Sequence, residues 1–110
     1  MKWYKPLFLG ENAGKEKLRS LKKVKNGKYM KDVFFITLPS NNKNLLDIIS
    51  TNQLLWPYFR KRKVRAAIYV IGIAKGRDEA YEVVRTIIDE TYTNTGGFDI
   101  KGYLNFGPKE

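Results

Sequence analysis

Two runs of basic residues are the part of this sequence whose composition points most directly to chemistry. The first run comprises Lys15, Lys17, Arg19, Lys22, Lys23 and Lys25, and the second comprises Arg60, Lys61, Arg62, Lys63 and Arg65. Cationic side chains along a surface neutralise phosphates and release counterions, so their affinity for a polyanion falls as salt rises. We therefore hypothesise that these residues contact nucleic acid or another polyanion.

Aromatic residues adjoin the second basic run. Trp56, Tyr58 and Phe59 precede it directly, and aromatic rings beside arginines can stack on unpaired bases. The alternative is that the rings are core residues at a helix end and that both basic runs are solvated faces. The sequence has no helix-turn-helix spacing, no aromatic signature of an RNA-recognition motif and no Gly-x-x-Gly loop.

A second candidate site is the turn Lys75-Gly76-Arg77, where a predicted strand runs into a predicted helix. Glycine lets an anion approach the backbone, a helix start offers free N–H groups, and two cations flank the turn. The pattern is neither a P-loop nor a dinucleotide fingerprint. A tight turn with solvated charges explains the same residues. Likewise, the polar residues 40–44 could bind a small polar ligand or simply cap a helix.

Catalysis is restricted by what the chain lacks. The 110 residues include no cysteine and no histidine, which excludes thiol nucleophiles, disulfides, Cys/His zinc sites and imidazole acid–base steps. Asp32, Asp47 and Asp99 are isolated in the sequence, and the acidic residues of 78–82 fit the exposed side of a helix. We expect a protein with no catalytic site, no metal and no cofactor.

The charge is distributed unevenly along the chain. Residues 1–31 hold ten basic and two acidic residues, residues 32–59 carry a net charge of −1, residues 60–65 carry +5 and residues 66–110 carry −2. The formal net charge of +10 favours polyanionic partners but does not bear on the fold. With 43% hydrophobic residues, the chain is predicted to fold as one domain, 1–110.

Three segments have the composition of β-strands. Residues 33–38 and 66–74 are near-continuous apolar runs, which is typical of central strands covered on both sides in a parallel sheet flanked by helices. Residues 4–9 form a shorter run that contains Pro6. Because proline donates no ladder hydrogen bond, this strand is predicted at an edge.

Two helices are predicted in the second half of the chain. Residues 78–92 carry one apolar stripe from Ala80 to Thr91, and Gly96-Gly97 ends the helix. The other helix is predicted to begin after Ser40, to carry Leu45, Ile48 and Ile49 inward and to end before Pro57.

Residues 15–25 allow two interpretations. Leu18, Leu21 and Val24 are three apart, which suits a helix that ends at Asn26-Gly27. Asn26-Gly27 is also a hairpin signal, which would join residues 20–25 to residues 28–38. The helix, which we favour, predicts an α/β sandwich of about three mainly parallel strands flanked by helices. The hairpin predicts an α+β fold.

Four segments carry a resemblance to known proteins: VFFITLPS at 33–40, LLDII at 45–49, IGIAKGRDEA at 71–80 and TGGFDIKGYL at 95–104. In these segments the chain resembles small bacterial proteins of no assigned activity that are often carried on conjugative or other mobile elements. The resemblance covers most of the sequence after residue 30. It implies no catalytic residue and no cofactor, and it favours an accessory role near mobile DNA.

The leading hypothesis is a cytoplasmic, non-enzymatic accessory domain that contacts nucleic acid or another polyanion through its basic surface. The longest apolar run, 66–74, is far shorter than the about 20 residues of a membrane span, so no membrane partner is expected. The lack of cysteine fits a reducing compartment. The alternative is a self-associating module, such as a homodimer, or a small-ligand sensor that uses its strand-end loops.

Overall fold

The computed structural model describes residues 1–15, 32–39 and 43–104. The strands are β1 (Lys2–Leu9), β2 (Val33–Thr37), β3 (Asp47–Ser50) and β4 (Tyr69–Lys75), and the helices are α1 (Pro57–Arg60), α2 (Arg62–Ala66), α3 (Arg77–Thr95) and α4 (Ile100–Leu104). Short 3₁₀ helices lie at Ala13–Lys15 and Gln53–Leu55. The choice between a helix and a hairpin in the basic N-terminal run concerns residues outside this description.

The four strands form one mixed sheet in the order β1-β4-β2-β3. β1 is parallel to β4, whereas β2 is antiparallel to both β4 and β3. The α/β fold class predicted from the sequence is confirmed. The sequence predicts mainly parallel pairing, but two of the three pairings are antiparallel. The connection between β2 and β3, residues 38–46, is shorter than the about 12 residues that a parallel crossover needs.

The positions of the predicted strands agree with their composition. β2 and β4 are central, and β1 lies at an edge. Pairing of β1 with β4 loses its register between Trp3 and Phe8, an interval that contains Pro6, whose nitrogen cannot donate to the ladder. β4 begins at Tyr69, three residues later than expected, because the chain up to Ala66 is still helical in α2.

The helix predicted after Ser40 is wrong, because residues 47–50 form β3. Ile49 pairs with Phe35 and Ile48 pairs with Ile36 across the antiparallel ladder. Ile49 joins the core on one face of the sheet, and Ile48 packs against the core on the other. Two adjacent isoleucines can both face the core from one helix, but they can also lie on opposite faces of a strand that is buried on both sides. Their β-branched side chains favour the strand.

Apolar side chains cover both faces of the sheet. On the first face the core consists of Ala13, Val33, Phe35, Ile49, Leu54, Ile68, Val70 and Ile73. On the second face it consists of Ile36, Ile71, Ala74, Ala80, Val83, Ile87, Ile100 and Leu104. The second face is covered by α3 and α4, whereas the described cover of the first face comes from 3₁₀ turns and from side chains such as Trp3 and Phe59.

α3 is the predicted amphipathic helix, with buried Ala80, Val83, Ile87 and Thr91. It ends at Gly96, which adopts the left-handed conformation with φ 75° that glycine tolerates without strain. In the part of the chain that is described, no helix combines the length and apolar character of a membrane span.

Gly72 lies where three elements meet at the centre of β4. Ile36 pairs with Gly72 but Thr37 pairs with Val70, so β4 contains one extra residue at this point, as in a β-bulge. A β-carbon on Gly72 would lie 3.0 Å from the Phe8 carbonyl oxygen and 3.0 Å from Val83 Cγ1. The close approach of β1 and α3 to β4 therefore leaves little room for a side chain at this position.

Glu79 is buried, although the sequence predicts it on the exposed side of α3. Its Oε1 accepts hydrogen bonds from the backbone N–H groups of Asn12 and Ala13, and its Oε2 accepts one from Asn12 Nδ2, each at 3.1 Å. A β-carbon on Gly10 would collide with this carboxylate. Glu79 thus caps the turn that follows β1, not its own helix.

Glu79→Gln is expected to lower the free energy of unfolding by about 1–3 kcal/mol, because the new amide would face the Asn12 Nδ2 donor and the charge-assisted bonds would be lost. The measurement is urea denaturation followed by circular dichroism. Glu82→Gln, an exposed position on the same helix, is the matched control and should change stability by less than about 0.5 kcal/mol. Equal effects of the two substitutions would contradict a capping role.

Gly72→Ala is expected to destabilise the fold by about 1–3 kcal/mol, because the added methyl group overpacks the contact with Phe8 and Val83. Gly14→Ala, where a β-carbon would meet nothing within 4 Å, serves as the control in the same denaturation experiment. If the Gly72→Ala protein were as stable as the control, Phe8 and Val83 would be able to move away from the added methyl group, and the expected overpacking would be contradicted.

Candidate nucleic-acid interface

The second basic run is divided between two short helices. Pro57 begins α1, Lys61 adopts an extended conformation with φ −64° and ψ 134°, and α2 follows immediately. The side chains of Arg60, Lys61, Arg62 and Lys63 are all exposed. We call these four consecutive residues the 60–63 cluster.

No carboxylate neutralises the 60–63 cluster within the described residues. None of its members forms a salt bridge there, and the sequence contains no acidic residue between Asp47 and Asp78. By contrast, Arg85 on α3 lies 3.7 Å from Asp89. The cluster therefore presents its positive charge to solvent.

Arg65 has a different role from the other cations of the same run. It is half-buried, its Nε donates to the Phe59 carbonyl at 3.1 Å and its guanidinium donates to the Leu54 carbonyl at 2.6 Å. Arg65 thus holds α1 to the preceding turn.

The charge of Arg65 also acts on the N-terminus of the chain. Burial lowers the pKa of the Met1 amino group, and the nearby charges of Arg65 and Lys2 lower it further.

Two exposed aromatic rings adjoin the 60–63 cluster. Trp56 is 50% exposed and Tyr58 is 59% exposed, so neither is the core residue that the alternative interpretation requires. Phe59 is half-buried, packs against the first-face core and contacts both rings, with centroids 6.4 Å from Trp56 and 5.2 Å from Tyr58. Lys61 Nζ lies 5.8 Å from the Tyr58 centroid. Aromatic surface and positive charge are therefore adjacent.

A cleft of about 980 Å³ opens beside the cluster, at the end of the sheet where β2 ends and β3 and β4 begin. One side of the cleft is lined by residues of α1 and α2, namely Tyr58, Phe59 and Lys63. The other side is lined by Phe98, which precedes α4, and by Lys101 in α4. The sequence gives no signal for this cleft, because its lining comes from segments far apart in the chain. α3 packs on β4 and is followed by Phe98 and Lys101, and the antiparallel placement of β2 adds residues 37–39 to the same end of the sheet.

The turn Lys75-Gly76-Arg77 lies at the opposite end of β4. The Gly76 N–H donates to the Asp32 carbonyl at 2.6 Å, and the Arg77 guanidinium lies 5.7 Å from the centre of the Phe34 ring. Gly76 is the N-cap of α3 and has φ 88°. Only glycine adopts this backbone conformation without strain, which explains why glycine occupies the position. The Gly76 N–H and the Arg77 guanidinium therefore contact other groups of the protein, and anion binding at this turn stays a prediction.

The first basic run falls outside the described residues except for Lys15, whose backbone ends a 3₁₀ helix. The residues that flank the undescribed segment, Lys15 and Asp32, both lie near the C-terminal end of β4: Ala13 is bonded to Glu79, and Asp32 to Gly76. The 60–63 cluster lies beyond the N-terminal end of the same strand, roughly 20 Å away for a seven-residue strand. The described residues therefore do not place the two runs side by side.

The acidic residues form no metal site in the described part of the chain, where no group of three or more potential ligands is gathered. Residues 40–42, part of the predicted polar loop, lie outside the description. Asn44 Nδ2 donates to Asp47 Oδ1 at 3.2 Å, and Asp99 Oδ1 accepts the Gly102 N–H at 3.1 Å. These aspartates thus support local turns.

Comparisons with protein-family models, with curated proteins and with solved structures found no match to this chain. The resemblance to proteins of mobile elements stays a prediction.

Arg65→Gln is expected to lower the free energy of unfolding by about 1–3 kcal/mol, because two carbonyl groups lose their donor. Arg62→Gln, which removes the same charge from an exposed position, should change it by less than about 0.5 kcal/mol. Thermal and urea denaturation of both variants measures the difference. If Arg62→Gln were as destabilising as Arg65→Gln, the division between structural and free cations would be contradicted.

Proposed function

We propose that this protein is a cytoplasmic, non-enzymatic domain that binds single-stranded nucleic acid through the surface of α1 and α2. The observation that carries the proposal is the 60–63 cluster, four exposed cations without carboxylate partners among the described residues, beside the exposed rings of Trp56 and Tyr58. Cations that follow the phosphates and rings that stack on bases are the two components of sequence-tolerant single-strand binding.

The dimensions of α1 and α2 favour a single strand over a duplex. The helices have four and five residues, which correspond to about 6 and 8 Å. A recognition helix in the major groove presents several turns to base edges, and neither helix is long enough to do so. Exposed aromatic rings have no stacking partner in a closed duplex, whereas unpaired bases offer their faces.

Self-association through the β3 edge of the sheet has less support. β3 is the edge strand next to the cleft, and it has only four residues. The Ser50 N–H donates to Gln53 Oε1 at 2.9 Å, so this group is not offered to another strand. Short edges with internally satisfied groups resist pairing between copies.

The test is a fluorescence-anisotropy titration of a labelled single strand of about 12 nucleotides, within the range of single-strand site sizes, at salt concentrations from about 50 to 200 mM. We expect binding that weakens steeply with salt and is tighter than binding to a duplex of the same length. Arg60→Gln/Arg62→Gln should weaken binding and reduce the salt slope by about 0.7 for each lost phosphate contact.

Arg85→Gln is the matched control for the single variant Arg62→Gln, because each removes one arginine charge from an exposed helical position. It should weaken binding less and leave the slope closer to that of the unmodified protein. No binding at low salt, binding that does not depend on salt, or equal losses in Arg62→Gln and Arg85→Gln would overturn the proposal. Equal affinity for the duplex would indicate a general polyanion site instead.

A further inference from the structure

We propose that the cleft beside the 60–63 cluster is a pocket for one base of the bound strand, an inference that rests on the proposed function. The base would lie in the cleft between the side of Tyr58 and the side of Phe98, with the neighbouring phosphates near Lys63 and Lys101.

The cleft is continuous with the basic surface. Lys63 belongs both to the 60–63 cluster and to the lining of the cleft, and Tyr58 lines the cleft while its ring lies near Lys61. A strand that follows the cluster therefore passes the mouth of the cleft. Within a strand, only the base is flat and apolar enough to leave the backbone path and enter such a space.

The opposite side of the cleft repeats the combination of a ring and a cation. Phe98 is 51% exposed, and its ring stacks on Tyr92 with centroids 5.3 Å apart and an interplanar angle of 21°. Lys101 is exposed and forms no salt bridge within the described residues. Asp99 also lines the cleft, and its Oδ1 accepts the Gly102 N–H at the start of α4. This side therefore offers a ring held by its neighbour and one cation, Lys101, whose charge is offset by the nearby carboxylate.

The lining of the cleft suits a heterocycle with polar edges. Ile48 and Ile68 supply apolar surface, and Asn44 and Gln53 supply amides. Asn44 uses its amino group on Asp47, which leaves its oxygen to accept, whereas Gln53 uses its oxygen on Ser50, which leaves its amino group to donate. The volume of about 980 Å³ is at the upper end of the range for ligand pockets, so a purine fits.

The experiment uses a strand of about 12 nucleotides that carries one central 2-aminopurine, whose fluorescence changes on stacking. Phe98→Ala and Lys101→Gln alter the side of the cleft that lies outside the basic cluster. Tyr81→Ala is the matched control for Phe98→Ala, because Tyr81 is a 53% exposed ring that does not line the cleft. Thermal denaturation verifies that each variant is folded.

We expect Phe98→Ala to weaken binding by about 5-fold or more and to remove the 2-aminopurine response, Lys101→Gln to weaken binding and reduce its salt slope, and Tyr81→Ala to do neither. Salt-dependent binding by the unmodified protein together with wild-type affinities for Phe98→Ala and Lys101→Gln would overturn the cleft assignment and leave the proposed function standing. No binding by the unmodified protein would overturn the proposed function itself, so the two failures are distinct.

Discussion

The burial of β4 on both faces is the constraint on which the rest of this structure depends. From Val70 to Ala74 the strand is buried without interruption, and it pairs with β1 on one side and with β2 on the other. A strand in this position accepts no charge, because a buried ion without a partner is too costly. Charged residues are therefore confined to the two ends of the strand, where the chain enters and leaves the sheet.

Near each end of β4, one charged side chain forms hydrogen bonds with backbone groups of another segment. Beyond the C-terminal end, Glu79 accepts the N–H groups of the turn after β1. Before the N-terminal end, Arg65 donates to the carbonyl groups of Leu54 and Phe59. In both cases an ion replaces water around buried or half-buried backbone. This explains why one cation in the basic run is fixed while its neighbours face solvent.

Sequence reasoning succeeded where the signal is local. The long apolar stripe of α3, the terminating Gly96 and the proline in β1 each act through neighbouring residues. It failed at 47–50, where Ile48 and Ile49 fit a helical stripe and a two-faced strand equally well. The sequence could not distinguish the structural role of Arg65 from the exposed cations of the 60–63 cluster. That role depends on two carbonyl groups that only the fold brings within hydrogen-bonding distance of its guanidinium.

The cleft could not be predicted for a topological reason. In a parallel sheet the loops after both central strands would share one edge, which would bring residues 40–44 next to the turn at Gly76. The antiparallel pairing of β2 with β4 instead brings the end of β2 to the beginning of β4, away from the turn at Gly76. That end also receives α1, α2 and the residues around Phe98.

No acidic residue lies between Asp47 and Asp78 in the sequence, so this segment offers no carboxylate to the cations near the N-terminal end of β4. Four adjacent exposed cations repel one another, and a surface that served only solubility would be more stable with carboxylates interspersed. Here the repulsion is left uncompensated among the described residues, and the cations lie beside rings that are also left exposed. A partner that supplies negative charge and flat aromatic surface together relieves both costs, and an unpaired nucleic-acid strand has that composition along its whole length.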